Sequence, residues 1–435
     1  MKKIFFAAFF CFPFLLHAQK EVRTFYDKQK QKVQEEYHVA ADNETLVGKY
    51  RRYYENGNVM VEGNFEDGEK SGPFSEFHQD GSLARKLHYV NGVRHGIVEV
   101  YDEEGKPVQK AWYENDVLTD SIRMFFTDGN LRKETYFVKG KPEGLVKEYY
   151  SDGKLKREIT YHNGKPNGVT RTFYENGKIE TEGKYTEGIL TGFFKSYYGN
   201  GQLQTVSTMA DGSRNGHYQS YNEAGSLILE GNFLNGLLEG ENIGYYPDGA
   251  VQHRFTYRAG KKTGANYEYY PDGKVRTKEV GSNSGNDLMR STYDEQGGVL
   301  SEQKFRNEKP HGTWVFYYPG TKKEKVRETY EAGKLTGIRQ TFHANGKIAT
   351  EETYKFGLMA GPFKSYYEDG TPELTGEYRN SRKHGLFTSY YPNGKVREQG
   401  EYVADKKHRE WKEFDESGNL KTSVIYRAGI LVPQK

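Results

Sequence analysis

Short runs of alternating apolar and polar residues fill the chain from about residue 44 onward, separated by two kinds of glycine-containing turn that recur on a fixed count. With the glycine of each Asn-Gly, Asp-Gly or equivalent pair taken as a hairpin tip, tips fall at Gly57, Gly81, Gly105, Gly129, Gly153 and Gly177. They continue at Gly201, Gly225, Gly249, Gly273 and Gly297, always 24 residues apart. The count slips at Tyr318-Pro319-Gly320 and recovers at Gly346, Gly370, Gly394 and Gly418, giving 16 units. Numbered from the tip, position −4 is Tyr or Phe in every unit, from Tyr53 and Phe77 to Tyr390 and Phe414. Position +2 is usually aliphatic (Val59, Leu83, Leu155), +8 usually aromatic (Phe65, Tyr89, Tyr161), and −9 often a second glycine (Gly72, Gly144, Gly168).

Two aromatic-rich runs around Asn-Gly or Asp-Gly predict one β-hairpin per unit. The second turn, as in HNGKPNG at 162–168, returns the chain to the next hairpin, its glycines supplying positive φ. The fold expected is all-β: an elongated antiparallel meander of about 16 tandem 24-residue hairpins. A three-residue loop closed by a glycine bulge pairs −4 with +2, which would place −4, +2 and +8 on one buried face and the −3 column on the other. Apolar residues at −7 (Phe74, Phe194, Trp314, Phe363, Trp411) run against that assignment.

The first residues read differently. Lys2-Lys3, the apolar run Ile4–Leu16 and Leu16-His17-Ala18 have the form of a signal peptide over 1–18. Residues 19–47 read as a degenerate N-terminal capping repeat, 48–429 as the tandem array, irregular at 278–298 and 319–333, and 430–435 as a tail. The expected location is therefore the periplasm, the outer envelope or the exterior. The only cysteine, Cys11, lies in the leader, so the mature chain is expected to hold no disulfide or thiolate–metal site.

Charge is nearly balanced, 63 basic against 60 acidic residues, which gives no electrostatic case for nucleic acid. No later apolar run reaches transmembrane length. Tyr (36) and Phe (25) dominate the apolar content while Trp numbers 3, so burial must come from aromatic rows rather than an aliphatic core.

With these columns in view, the chain resembles the MORN repeat family in its bacterial variant form. The pattern is Gly-x4-[Tyr/Phe]-Tyr-x-[Asn/Asp]-Gly-Lys-[Leu/Ile/Val] followed by Glu-Gly-x-Tyr, visible in GLVKEYYSDGKLKREITYHNG from Gly144 and GLFTSYYPNGKVREQGEY from Gly385. The resemblance covers about residues 44–429. It implies a twisted single-layer sheet or solenoid used for interaction rather than catalysis. Some bacterial variants are antitoxin partners, whereas this chain adds an export signal and many more repeats.

Candidate chemistry is sparse against that background. His95, His311, His384 and His408 precede the −9 column, but equivalent positions two strands apart lie about 9.6 Å from one another, too far to share one zinc. No metal or cofactor is expected. The +5 carboxylates (Glu62, Glu134, Glu158, Glu182, Glu230, Glu302) form a stripe without a cleft, with Lys at +1 nearby, and read as cross-strand pairing rather than paired catalytic acids. The segment 278–298 keeps the pattern worst and would be the only home for an active site, yet it shows no nucleophile–base pair. The −3 column is the candidate binding stripe: Tyr54, Tyr150, Tyr174, Tyr198, Tyr246, Tyr270, Tyr367 and Tyr391. The expected function is non-enzymatic: an exported repeat surface for an unidentified protein partner, as an envelope scaffold or antitoxin-like protein. A cell-wall or carbohydrate-binding role through exposed aromatic stripes is the alternative.

Overall fold

Two turns of different construction set the register of every repeat. In the computed structural model, which describes residues 19–282 and 286–433, the leader read over 1–18 lies outside the described residues. The first strands are β1 (Lys20–Phe25), β2 (Val33–Val39), β3 (Leu46–Tyr53), β4 (Val59–Glu66), β5 (Glu69–Phe77) and β6 (Leu83–Val90). At the tip between β3 and β4, the Tyr54 carbonyl accepts the Gly57 N–H at 2.9 Å, and the Tyr54 N–H donates to the Asn58 carbonyl at 2.8 Å. Gly57 has φ +91°, so this is the expected three-residue loop with a left-handed glycine, and Tyr53 pairs with Val59. Between β4 and β5 the loop has two residues, Asp67 and Gly68, both left-handed (φ 48° and 82°), with Glu66 paired to Glu69. That mirror-image turn matches the strand twist and closes most return sides. Return turns also bond to one another: the Gly92 N–H donates to the Lys70 carbonyl at 3.0 Å, and the Gly164 N–H to Pro142 at 2.9 Å.

The face assignment differs from expectation. Directly after the Tyr53–Val59 pair the register shifts by one residue, so Arg52 pairs with Val61 rather than Met60. Beyond this bulge Tyr50 pairs with Gly63 and Gly48 with Phe65. Paired residues share a face and neighbours alternate, so −7 and +8 lie together while −4 lies on the other side. The expected union of −4, +2 and +8 is thereby corrected, and the −7 aromatics explain why: they are the partners of the +8 column. Tyr50, Phe65, Phe74 and Tyr89 form a chain of edge-to-face rings with centroids 5.3, 5.8 and 5.1 Å apart, each contact contributing about 0.5–1.5 kcal/mol beyond area burial. The shift recurs at the same point in the later hairpins, as at Tyr149, Phe173 and Tyr390.

The Glu-Gly step of the repeat follows from this packing. Gly63, in extended backbone, lies under the Phe74 ring; a Cβ there would sit 2.5 Å from ring carbons. Gly376 under Phe387 and Gly400 under Trp411 are closer still, at 2.3 and 2.2 Å. In these repeats glycine at +6 lets the ring of the following −7 residue lie flat on the backbone.

The chain divides into two compact units, residues up to Gln204 with Met209–Gly212, and Thr205–Thr208 with Ser213 onward. Within each, strands run antiparallel, substantial contacts are confined to sequence neighbours, and no helix occurs among the described residues. Few side chains are fully buried; in the first unit Phe74, Leu87 and Val98 form the centre, flanked by Val61, Phe65, Tyr89 and Tyr113. In the second unit the −7 and +8 rows form a continuous ring ladder from Phe363 to Tyr426. Earlier in that unit several −7 and +6 positions are charged: Arg290 meets Glu279 at 2.7 Å, and Arg339 bridges Glu328 and Glu352, both at 3.1 Å.

Candidate functional site

The residues of the YY-x-NG-K tip reach forward to the next repeat. Asn56 accepts the Asn58 N–H through Oδ1 at 3.0 Å, stabilising its own turn, and donates from Nδ2 to the Gln79 carbonyl of the following tip at 2.8 Å. Asn176 and Asn393 do the same towards Gly199 and Glu416. The +1 lysine completes the lacing: Lys395 Nζ donates to the Ser417 carbonyl at 2.9 Å and Lys274 Nζ to Glu295 at 2.8 Å. These lysines therefore do not pair with the +5 glutamates as expected. Three of the +5 carboxylates meet arginines at −6 instead, Arg51–Glu62 at 3.2 Å and Arg123–Glu134 and Arg171–Glu182 each at 2.7 Å.

The candidate stripe has a specific contact. Tyr54 donates its hydroxyl to the Phe77 carbonyl at 2.9 Å, one repeat on. Tyr150 does so to Phe173, Tyr174 to Tyr197, Tyr246 to Tyr269, Tyr270 to Tyr293, Tyr367 to Tyr390 and Tyr391 to Phe414, over 2.7–3.0 Å. Tyr198 is half-buried like the others. Their hydroxyls staple consecutive hairpins, and Lys156 lies over the Tyr150 ring at 5.4 Å. The breaks in the column make sense in the same terms. His78 and His343 place Nε2 at 3.3 and 2.8 Å from the carbonyls of Tyr101 and Tyr366, replacing the tyrosine hydroxyl. Asp102, Asn222 and Asp294 instead accept N–H groups of their own loops.

On the opposite face, −4 tyrosines donate to +5 glutamates of the preceding repeat: Tyr245 to Glu230 at 2.6 Å, Tyr317 to Glu302 at 3.1 Å and Tyr366 to Glu351 at 3.2 Å. Burial, with the Glu230 hydrogen bond, pushes the Tyr245 phenol up to about 12. Among the described residues no three His, Cys, Asp or Glu side chains gather as a metal site. His95 and His311 use their backbone N–H groups to bond the His88 and Lys304 carbonyls.

The repeat geometry has a counterpart among known families. The MORN repeat variant model matches ten segments: 46–67, 70–91, 94–118, 142–163, 166–187, 214–235, 335–356, 359–380, 383–404 and 407–428. The chain belongs to the MORN repeat variant family. Each matched MORN segment runs from the strand before a tip to the following return turn, so the family unit is the hairpin described above. No curated protein sequence matches the chain. Among solved structures, the chain is similar to the crystal structure of TcdB2-TccC3 without its hypervariable C-terminal region, at 12% identity and TM-score 0.15, over 94% of this chain and 23% of that one. The Photorhabdus luminescens Tc holotoxin pore with a TccC3-D651A mutation matches at 9% identity and TM-score 0.15, over 95% of this chain and 30% of that one. The MORN chain thus spans less than a third of either, and neither likeness bears on its function.

Sequence reasoning missed one feature of the second unit. Around Gly281, where the +8 aromatic is replaced, an open pocket of about 940 Å³ lies between Asn266, Glu279, Arg290 and Phe305. The signal was present: 278–298 was the worst-kept stretch, and its −9 glycine and +8 aromatic are lost together, as Leu288 and Gly281.

Proposed function

We propose that this MORN-variant chain is a non-enzymatic, exported protein whose repeat sheet serves as a docking surface for a protein partner. The observation that carries the reading is the division of labour within each repeat. Recurrent residues at −4, −3, −1, 0 and +1 are bonded within the sheet, while the residues between them change from repeat to repeat and supply varied side chains on a regular lattice. Such a lattice suits recognition of an extended partner, because each unit contacts only its neighbours. A protein partner is favoured over wall glycan because sugar stacking needs open ring faces, and the stripe tyrosines are half-buried, with Lys156 over the Tyr150 ring. Export follows from the leader over 1–18, and placement at the cell envelope from export. Neutralising a toxin is one form such binding would take.

The test is capture on the immobilised full mature chain from an envelope extract of the native cell, with crosslinking, followed by direct titration of the purified hit. Saturable binding of one protein supports the reading. Recovery of wall polymer alone, with no protein that titrates, overturns it.

A further inference from the structure

We propose that the gap at Gly281 is a seat for an aromatic side chain of a protein partner, inserted from an extended segment laid along the sheet. This rests on the docking reading and gives it a site.

Elsewhere the +8 position carries Tyr or Phe, except Met209, which fills its place with a long apolar chain, and Gly281, which fills it with nothing. Phe65 shows what normally stands there: its ring lies between the −7 residues Tyr50 and Phe74. The −7 residues flanking position 281 are Asn266 and Arg290, and the vacancy opens into the pocket of about 940 Å³. Space is not taken up by the backbone, since a Cβ on Gly281 would find its nearest neighbour, the Gly264 carbonyl oxygen, at 3.9 Å. Leu288 pairs directly with Gly281 and with Phe305, so one wall is apolar.

The surrounding cations already sit on rings. Lys262 Nζ lies 3.5 Å from the Phe255 centroid and the Arg290 guanidinium 5.1 Å from Phe305. Glu279 holds Arg290 with contacts at 2.7 and 2.8 Å, fixing the guanidinium beside the vacancy. A ring entering between Asn266 and Arg290 would gain edge and cation contacts of the kind the repeats use internally. Lys261 and Glu308 also line the pocket, and their opposite charges match a peptide with mixed-sign neighbours better than a singly charged small molecule.

The test is saturation-transfer NMR on the full mature chain with N-acetyl-L-tyrosinamide, beside p-cresol and N-acetyl-L-alaninamide. The expected result is saturation of the tyrosinamide ring protons by the wild type, absent for alaninamide, and lost in Gly281→Tyr, which supplies the missing side chain from within. Gly281→Tyr should melt no lower than the wild type. If it fails to fold, Leu288→Trp fills the same space from the opposite strand. No saturation with the wild type, or saturation unchanged in the filled variant, overturns the seat. Saturation of p-cresol, the bare tyrosine side chain, stronger than that of the tyrosinamide assigns the gap to a free small aromatic and also overturns it. Because the probes are independent of any partner, loss of the seat leaves the capture experiment to judge the docking reading separately.

Discussion

Two stretches of the second unit use the same repeat geometry and fill it with opposite chemistry. From Phe363 to Tyr426 the inner positions carry rings, with successive centroids 5.5, 5.6, 5.1, 4.9 and 6.4 Å apart. Between Glu279 and Glu352 the −7 and +6 positions are mostly charged, carrying Glu279, Arg290, Glu328, Arg339 and Glu352, with Trp314 the ring among them, held between Phe305 and Tyr330. Both stretches keep the one-residue shift after the tip, at Tyr293 as at Tyr390, even though the Tyr318 tip carries one extra residue, so the backbone is specified by turns and bulges rather than by the inner side chains. What changes is the source of cohesion. Rings lying flat on glycine gain area and dispersion, whereas the charged positions rely on bridged ion pairs whose attraction is offset by desolvation.

The comparison breaks most visibly at Trp411, which is 4% exposed. Trp411→Ala should cost about 3–5 kcal/mol, read as a drop in the denaturation midpoint and loss of amide protection confined to 396–427. A loss spread evenly over the second unit would contradict the nearest-neighbour picture.

Next in size is the glycine seat. Gly400→Val places carbon where the Trp411 ring lies, 2.2 Å from a Cβ, and should destabilise by about 1–3 kcal/mol through overpacking. Gly281→Ala, in the vacant position, should leave the midpoint nearly unchanged. Equal effects at both glycines would mean that ring seating is not why +6 is glycine. In the charged stretch, converting Glu328, Arg339 and Glu352 together to Leu, Met and Leu should be neutral or stabilising by about 1–4 kcal/mol, measured by urea denaturation. Arg339→Met alone should destabilise, because Glu328, only 9% exposed, loses its partner.

A smaller effect is expected at the staples. Tyr391→Phe removes one hydroxyl bond to the Phe414 carbonyl and should cost about 0.5–1.5 kcal/mol. The smallest is alkaline. Burial, with the Glu328 hydrogen bond, pushes the Tyr330 phenol up to about 12, against about 10 unfolded. A raised folded value means the native state holds the proton longer. The contribution is therefore complete below pH 10 and is lost as pH rises towards 12, by no more than about 1 kcal/mol for this partly solvated group. Melting curves across that window should flatten in Tyr330→Phe relative to the wild type.

The sequence revealed what is marked by special residues and concealed what is not. Tip turns are announced by glycine with positive φ and Asn or Asp before it, so the three-residue loop and the Tyr53–Val59 pairing were legible. The second bulge falls at Met60 in one repeat and at Ala84 in the next, residues with no backbone signature, and that unmarked extra residue exchanges the faces of −4 and +8. The −7 rings at Phe74, Phe363 and Trp411 carried the correction, and the glycines beneath Phe74 and Trp411 were their complement. Tyr54 and its equivalents stand out in the sequence as a stripe, but composition does not show where a hydroxyl points; the structure adds its bond to the Phe77 carbonyl, one repeat away.

Forward stapling also bears on how such a chain changes length. Nearly every tyrosine staple joins residues 23 apart, while Tyr318, whose tip carries one extra residue, reaches the Phe342 carbonyl 24 residues on and makes the same bond. A duplicated or deleted unit presents at its seam the donor and acceptor found at any other seam. Unequal recombination between repeats would therefore yield folded products in steps of one hairpin, making copy number a trait that selection tunes without redesigning a junction.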